Sequence, residues 1–281
     1  MNPRAGLEII RPINCAMIGF AVVVGEFVSK PPRILLLPTV LGFLTGFFFC
    51  AFSMIVNDVY DLEVDRVNQP GRPIPSGRIS IRGALVLSCA NLIIGIATTV
   101  LSLSPLAVGI ALVYVFLSWL YSYRAKKAGI AGNIIVASSL AIPFIYGGVI
   151  GGGSILSSLL LMMALTAFFS GVGREVVKAM ADTSGDEKRG VRSVALSWGM
   201  RAAALVGAVF FLLAVVSSWL PLVLGLANRI YLVGVVFPDA IFVFLTFSIL
   251  RKHDSANAYK VKRSALMGML VGLIVFIGGA L

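Results

Sequence analysis

Nine apolar segments, most of them close to the ~20 residues that cross a bilayer as a helix, divide this sequence. Only 12% of the residues are charged, about half the share usual in soluble domains, so a soluble fold would leave much apolar surface in water. The pattern predicts an all-α, polytopic membrane protein with nine transmembrane helices around a central cavity. The segments lie at 13–29, 39–57, 83–102, 105–123, 131–150, 155–173, 201–220, 230–250 and 264–281.

Lys and Arg are concentrated in alternate connections between these segments, which hold twenty of the 23. The positive-inside rule assigns such connections to the cytoplasm. We therefore expect a cytoplasmic N-terminus, an external C-terminus and a location in the cell membrane with the site facing the cytoplasm. Topology accounts for most of the basic surplus, so a nucleic-acid partner is not expected, and no obligatory protein partner is evident. The basic connections are 1–12, 58–82, 124–130, 174–201 and 251–263.

Cysteine and histidine usage excludes several kinds of site. The three cysteines, Cys15, Cys50 and Cys89, are scattered through apolar segments, and His253 is the only histidine. Neither set has the spacing of a zinc site or a disulfide framework. We expect the cysteines to pack in the interior.

The stretch "SMIVNDVYDLEVDRVNQPGRPIPSGRIS" (53–80) places four carboxylates directly after an apolar segment. If the helix continues, Asn57, Asp61 and Asp65 form one stripe, because each step of four advances only about 40°. Asp58 is displaced by about 100°. Carboxylates are unfavourable at a helix C-terminus and at a membrane boundary, so a cation is expected to offset them. The oxygen ligands predict Mg²⁺.

A second acidic cluster lies in "GVGREVVKAMADTSGDEKRG" (171–190), on the same predicted face of the membrane. Glu175, Asp182 and Asp186 step by seven and then four residues, which again gives one helical stripe. Arg174 and Lys178 lie among them. Two carboxylate walls with Mg²⁺ between them can neutralise a diphosphate leaving group, and Arg and Lys add anion contacts. Allylic diphosphates suit this arrangement, because loss of the diphosphate leaves an allylic cation, and an apolar helix bundle would keep water from that cation.

These motifs resemble those of the UbiA-type intramembrane prenyltransferases. "NDVYDLEVD" is similar to their N-D-x-x-D-x-x-x-D signature, and "DTSGD" is similar to their second motif, D-x-x-x-D. The similarity extends over nearly the whole chain. It implies a single all-α domain over residues 1–281, with the motifs in 57–65 and 175–186. It also implies Mg²⁺-dependent transfer from a prenyl diphosphate.

The resemblance also assigns roles residue by residue. Metal and diphosphate binding is implied at Asn57, Asp58, Asp61, Asp65, Asp182 and Asp186, and Glu175 joins them as a ligand on the second stripe. The residues expected to carry the reaction are Asp61, Asp65, Asp182 and Asp186. The substrate-binding positions are Arg11, Asn57, Arg72, Tyr121, Lys126, Arg174 and Lys178.

Three further stretches resemble the archaeal ether-lipid branch of this superfamily: "RPINCAMIGFAVVVG" (11–25), "NQPGRPIPSGRIS" (68–80) and "YSYRAKKAGIAGN" (121–133). That resemblance implies a lipid-like, phosphorylated acceptor. The reaction would move a geranylgeranyl group from geranylgeranyl diphosphate to the hydroxyl of geranylgeranylglyceryl phosphate. One departure from the branch is Ala179 and Ala181, where its members usually carry Asp and Glu, so the second stripe has fewer carboxylates.

Two other functions remain open at this point. The first keeps the reaction but uses an aromatic or chlorophyllide-type acceptor. The second is an ion-coupled transporter, although transporters usually place ionisable groups near the bilayer midplane. Glu26 and Asp239 lie inside apolar segments. We expect a helix-end pair of Glu26 with Lys30 and a solvated basic connection at 252–263. For Asp239, beside Pro238, a structural role is favoured, and the alternative is that it faces the cavity.

Overall fold

The computed structural model describes residues 3–29, 33–125, 128–154, 157–188 and 191–280. In these ranges the chain forms thirteen α-helices and no β-strand. The helices are α1 (Pro3–Ile10), α2 (Pro12–Val28), α3 (Leu36–Tyr60), α4 (Leu62–Asn68), α5 (Ile81–Val100), α6 (Pro105–Tyr123), α7 (Ile130–Ile150), α8 (Ser158–Ala181), α9 (Thr183–Lys188), α10 (Val194–Trp198), α11 (Met200–Val223), α12 (Arg229–Arg251) and α13 (Ser255–Ala280).

Eight of the described helices are long and apolar enough to cross a membrane: α3, α5, α6, α7, α8, α11, α12 and α13. The α1–α2 pair, bent by 47°, makes a ninth span if the two helices are taken together. Helices α2, α3, α6, α7, α8, α11, α12 and α13 surround a central cavity. The prediction of an all-α, polytopic membrane fold is confirmed.

The bend between α1 and α2 lies at Arg11, which has a left-handed backbone with φ of 52°. Pro12 follows it, and proline disfavours the right-handed helical region for the residue before it. The break therefore has a local cause. It places the Arg11 side chain beside Asp58 of α3.

Small residues let the helices that carry the site approach closely. A Cβ atom at Gly147 of α7 would collide with the carbonyl oxygen of Val22 in α2, and one at Gly25 of α2 would collide with the backbone of Phe144. Close contact through glycine is a common way to pack helices in a membrane. The α2–α7 contact fixes one side of the cavity.

Two charged segments are helical where they leave the apolar core. Helix α8 continues to Ala181, and Glu175 there accepts from Lys178 at 2.9 Å, an i,i+3 pair that supports the extension. Helix α13 begins at Ser255, and the preceding Asp254 caps it, because its carboxylate accepts a hydrogen bond from the backbone N–H of Asn257 at 2.7 Å. The prediction of a connection at 252–263 is therefore wrong over 255–263, because Asp254 caps a helix there.

Candidate active site

The central cavity has a volume of about 250 Å³ and a predominantly apolar lining. A smaller polar pocket of about 90 Å³ adjoins it at the end where the acidic motifs lie. The two spaces share five lining residues, so they meet rather than lying apart. The shared residues are Arg11, Asn57, Tyr121, Glu175 and Lys178.

The first acidic motif forms one wall of the polar pocket. Helix α3 ends at Tyr60, but Asp61 still donates its backbone N–H to Asn57 at 2.9 Å, and Asp65 in α4 donates to Asp61 at 2.9 Å. The helical path is thus nearly continuous, and all three side chains line the pocket as the spacing predicts. The Asn57 amide also donates to Asp61 Oδ2 at 2.9 Å.

Asp58 lies outside the lining of this pocket. Its carboxylate is 3% exposed and forms ion pairs with Arg11 and, at 3.4 Å, with Arg72. Arg72 Nη1 also donates to Asp65 Oδ2 at 2.5 Å. Asp58 therefore holds two arginines at the edge of the pocket, a position that differs from the metal-ligand role expected from the motif.

The second acidic motif forms the opposite wall. Glu175 lies in the last turns of α8, Asp182 follows the end of that helix, and Asp186 lies in α9. All three line the polar pocket. The Asp186 backbone N–H donates to the Asp182 carbonyl at 3.1 Å, which continues the helical path past the break. The structure brings the two predicted stripes to one pocket.

Basic side chains surround the Glu175 carboxylate, which is 4% exposed. Arg174 Nη1 lies 2.9 Å from Oε1, and Lys178 Nζ lies 2.9 Å from Oε2. No side chain in the described ranges accepts a hydrogen bond from the buried Nε of Arg174. Because Arg174 lines the apolar cavity and Lys178 lines both spaces, these cations lie where the two meet. Lys126 lies outside the described residues.

Comparison of the whole chain with known proteins identifies the family to which it belongs. Residues 16–276 match the UbiA prenyltransferase family. The chain belongs to this family. A relative from Archaeoglobus fulgidus named digeranylgeranylglyceryl phosphate synthase is 36% identical over 99% of this chain and 95% of its own length.

Solved UbiA structures share the fold. One, described as digeranylgeranylglyceryl phosphate synthase in membranes, is 31% identical with a TM-score of 0.76, covering 99% of this chain and 98% of that chain. A UbiA homologue from Archaeoglobus fulgidus, bound to DMAPP and Mg²⁺, is 23% identical with a TM-score of 0.73. It covers 96% of this chain and 98% of that chain.

The donor set of this UbiA protein fits Mg²⁺. Among the described side chains, no three Asp, Glu, Cys or His residues stand close enough together to hold an ion alone. Mg²⁺ is commonly bound through one or two carboxylates, with water and phosphate oxygens completing its shell. Two facing carboxylate walls suit that arrangement. The residues that would hold the ion are Asn57, Asp61, Asp65, Glu175, Asp182 and Asp186.

Several polar residues at the site were not predicted. Gln69, Asn133 and Ser193 line the polar pocket, and Lys262 of α13 donates to Asp182 Oδ1 at 3.0 Å. Gln69 and Asn133 lie within stretches that resemble the ether-lipid branch, so that resemblance was a usable signal. The sequence held no such signal for Lys262, because its segment was predicted to be a solvated connection.

The two acids inside apolar segments have different surroundings. Glu26 is 1% exposed, and Oε1 accepts from Thr39 at 3.0 Å; its expected partner Lys30 lies outside the described residues. Asp239 is 8% exposed and lines the central cavity. It accepts from Ser218 and Trp219 of α11. Asp239 is thus held by side chains of a neighbouring helix.

Proposed function

We propose that this UbiA protein transfers a geranylgeranyl group from geranylgeranyl diphosphate to the hydroxyl of geranylgeranylglyceryl phosphate. The product carries the second ether bond of archaeal membrane lipids. The observation that carries the proposal is the carboxylate-lined pocket that opens into an apolar cavity. It suits a substrate with a diphosphate head and a hydrocarbon tail. The Archaeoglobus fulgidus relative, named for this activity, supports the choice of acceptor.

The polar pocket would bind and orient the donor's diphosphate. When bound, Mg²⁺ supplies positive charge against the charge that develops on the leaving diphosphate. The two walls would hold the ion through the six residues given above. Arg72 and Lys178, which line the pocket, would donate to diphosphate oxygens, and charge-assisted hydrogen bonds of this kind are the strong ones. Asp58 would position Arg72 and Arg11 instead of binding metal.

The remaining substrate-binding assignments follow from where the two spaces meet. Tyr121 and Arg11 line both spaces, so they would contact the substrates near the reacting carbon. Lys126 keeps its assignment from the motif resemblance. Arg174, with its Nε aimed at no partner among the described residues, would donate to a phosphate group at the cavity mouth.

The apolar cavity would hold the prenyl tail and exclude water. The C–O bond of the donor breaks, and the electron pair leaves with the diphosphate. The acceptor's hydroxyl oxygen then bonds to the allylic carbon, and its proton passes to the released diphosphate. An oxygen nucleophile that attacks an allylic cation needs little base assistance, which agrees with the single histidine of the sequence, His253. Excluding water prevents capture of the cation by hydrolysis.

We also propose that the site faces the cytoplasm of the cell membrane, with the N-terminus on the same side and the whole chain working as one domain. The charge asymmetry supports this orientation, because twenty of the 23 Lys and Arg residues lie in alternate connections of the sequence, which include both acidic motifs.

The proposal is tested with purified protein in lipid, labelled geranylgeranyl diphosphate, Mg²⁺ and a panel of acceptors. Geranylgeranylglyceryl phosphate should yield a labelled ether lipid, and a metal chelator should abolish the product. The panel includes an aromatic acid and a chlorophyllide. Transfer to either compound in preference to geranylgeranylglyceryl phosphate would contradict the proposed acceptor, but the protein would still be a prenyltransferase. No transfer to any acceptor would overturn the proposed function.

The acceptor's phosphate should matter strongly. A lost hydrogen bond to a charged group costs about 1.5–3 kcal/mol, or roughly ten- to a hundredfold in kcat/KM. Geranylgeranylglycerol, which lacks the phosphate, should therefore be a poor acceptor by that factor at saturating donor. Arg174→Gln should reduce the difference between the two acceptors, whereas the KM for the donor should change less. Equal use of both acceptors by the unaltered protein would contradict the assignment.

A further inference from the structure

A layer of polar side chains crosses the deep end of the otherwise apolar cavity. Asp239 Oδ2 of α12 accepts from Ser218 Oγ at 2.9 Å and from Trp219 Nε1 at 2.8 Å. Beside this group, Thr166 of α8 and Ser217 of α11 share a hydrogen bond of 2.9 Å. Thr166, Ser218 and Asp239 all line the cavity. The function proposed above gives this layer no role.

The depth of the layer follows from helix geometry. Thr166 and Lys178 both lie on α8, and the twelve helical steps from one position to the other correspond to about 18 Å at 1.5 Å per residue. Lys178 lines the polar pocket, whereas Thr166 contacts the residue next to Ser218. The layer therefore lies about 18 Å from the diphosphate end. This depth is similar to half of a ~30 Å hydrocarbon core, which is the depth that one lipid chain fills.

Buried aromatic side chains close the cavity behind the polar layer. The Phe276 ring lies 6.0 Å from the Phe144 ring and 6.3 Å from the Tyr231 ring, measured between centroids. The Tyr231 hydroxyl donates to the Ser218 carbonyl at 2.7 Å, which joins this group to the polar layer. All three rings are at most 6% exposed. The described part of the chain thus ends the cavity at a packed surface.

Both the polar layer and the packed aromatic rings would make binding of a longer hydrocarbon tail unfavourable. A longer tail would have to displace the Asp239 carboxylate from its hydrogen bonds with Ser218 and Trp219, and a buried polar group without partners is costly. Packed aromatic rings cannot yield volume without strain. We propose that Asp239, Ser218 and Phe276 form a floor that limits the length of the isoprenoid chain bound in the cavity. This inference rests on the proposed function, because it takes the bound tail to be that of a prenyl diphosphate.

Chain-length preference is measured with the full-length protein in nanodiscs and Mg²⁺. Calorimetry gives the affinity for non-reacting thiodiphosphate analogues with prenyl chains of fifteen, twenty and twenty-five carbons. For the unaltered protein, affinity should rise from fifteen to twenty carbons and should not rise further. Phe276→Ala and Asp239→Leu should each raise the affinity for twenty-five relative to twenty carbons by about tenfold or more, a range typical of methylene groups in a fitted pocket.

Asp239→Leu has a structural reason to fold, and Phe276→Ala has a matched control. In Asp239→Leu, Ser218 Oγ keeps its hydrogen bond to the Val215 carbonyl at 2.7 Å. Phe244→Ala is the control for Phe276→Ala, because Phe244 is 70% exposed on the outside of α12. It should keep the chain-length profile of the unaltered protein. A shift in Phe244→Ala equal to that in Phe276→Ala would overturn the floor.

Failure of the floor and failure of the proposed function would appear in different measurements. An unaltered ratio of affinities in both Asp239→Leu and Phe276→Ala would overturn the floor, as would affinity that continues to rise at twenty-five carbons in the unaltered protein. Transfer assays with the reactive donors run in parallel. Length-dependent binding without transfer to any acceptor would reject the proposed function and keep the floor.

Discussion

At the scale of single residues, Asp58 and Asp61 lie three positions apart and should fail differently when neutralised. Asp61→Asn keeps the size of the side chain and removes charge from the polar pocket. We expect activity to fall by about a hundredfold or more, because metal-ion stabilisation of the transition state is worth several kcal/mol. The melting temperature should change little. Initial rates and thermal unfolding of the same preparation measure both quantities.

Asp58→Asn should instead lower stability. It removes the buried anion that pairs with Arg11 and Arg72, and hydrogen bonds to charged groups contribute about 1.5–3 kcal/mol. Since both arginines are partly exposed, water replaces some of the loss, and we expect the low end of that range. A variant that keeps its melting temperature but loses all turnover would show that Asp58 acts on the substrate or metal directly.

The sequence predicted the walls of the site better than their partners. Helical spacing was enough to place Asn57, Asp61 and Asp65 together and to displace Asp58, because those relations are local. The partners of Asp58 are 47 and 14 residues away, so they depend on how α1 and the 58–80 connection fold back. Lys262, 80 residues from Asp182, was missed for the same reason.

At the scale of helices, two glycines give opposite predictions for the same substitution. A Cβ at Gly147 of α7 would collide with backbone atoms of α2, whereas one at Gly109 of α6 would meet no atom within 4 Å. Gly147→Ala should therefore lower the free energy of unfolding by about 1–3 kcal/mol through overpacking. Gly109→Ala should be neutral or stabilising by up to about 1 kcal/mol. Thermal unfolding in one detergent compares them, and equal shifts would contradict close α2–α7 packing.

Helix bounds were predictable where hydropathy changes and not where charge continues a helix. The segments 105–123 and 230–250 agree closely with α6 and α12. Helix α13 begins nine residues before the apolar segment that predicted it, because Asp254 caps a charged first turn. Hydropathy is insensitive to such a turn, since its residues are helical without being buried in lipid.

At the scale of the whole molecule, the orientation can be measured directly. Ser76 and Ser184 are both exposed, and they lie beside the first and second acidic motifs. Single cysteines at these positions, in a background without Cys15, Cys50 and Cys89, should react with a membrane-impermeant reagent only from the cytoplasmic side. Labelling of the two positions from opposite sides would contradict both the topology and the shared pocket.

The ring of helices itself was inferred from segment count and charge, and its apolar cavity was expected from the need to keep water from an allylic cation. Neither composition nor spacing indicates that Asp239 faces the cavity, because that depends on how Pro238 and its neighbours turn α12 against α11. The floor is a product of three helices. Its residues Ser218, Asp239 and Phe276 come from α11, α12 and α13, so it exists only once those helices have packed.

The closed deep end of the cavity bears on how a membrane made by this protein would grow. A tail that enters at the polar mouth meets Phe276 and Phe144, with Tyr231 packed against Phe276, before it reaches the far side of the bundle. The finished lipid therefore leaves with its headgroup on the side where the diphosphate bound. New lipid would accumulate in one leaflet, and expansion of the other would depend on a separate flipping step. In sealed vesicles with the protein in one orientation, fresh product should remain accessible to a headgroup reagent from one side only.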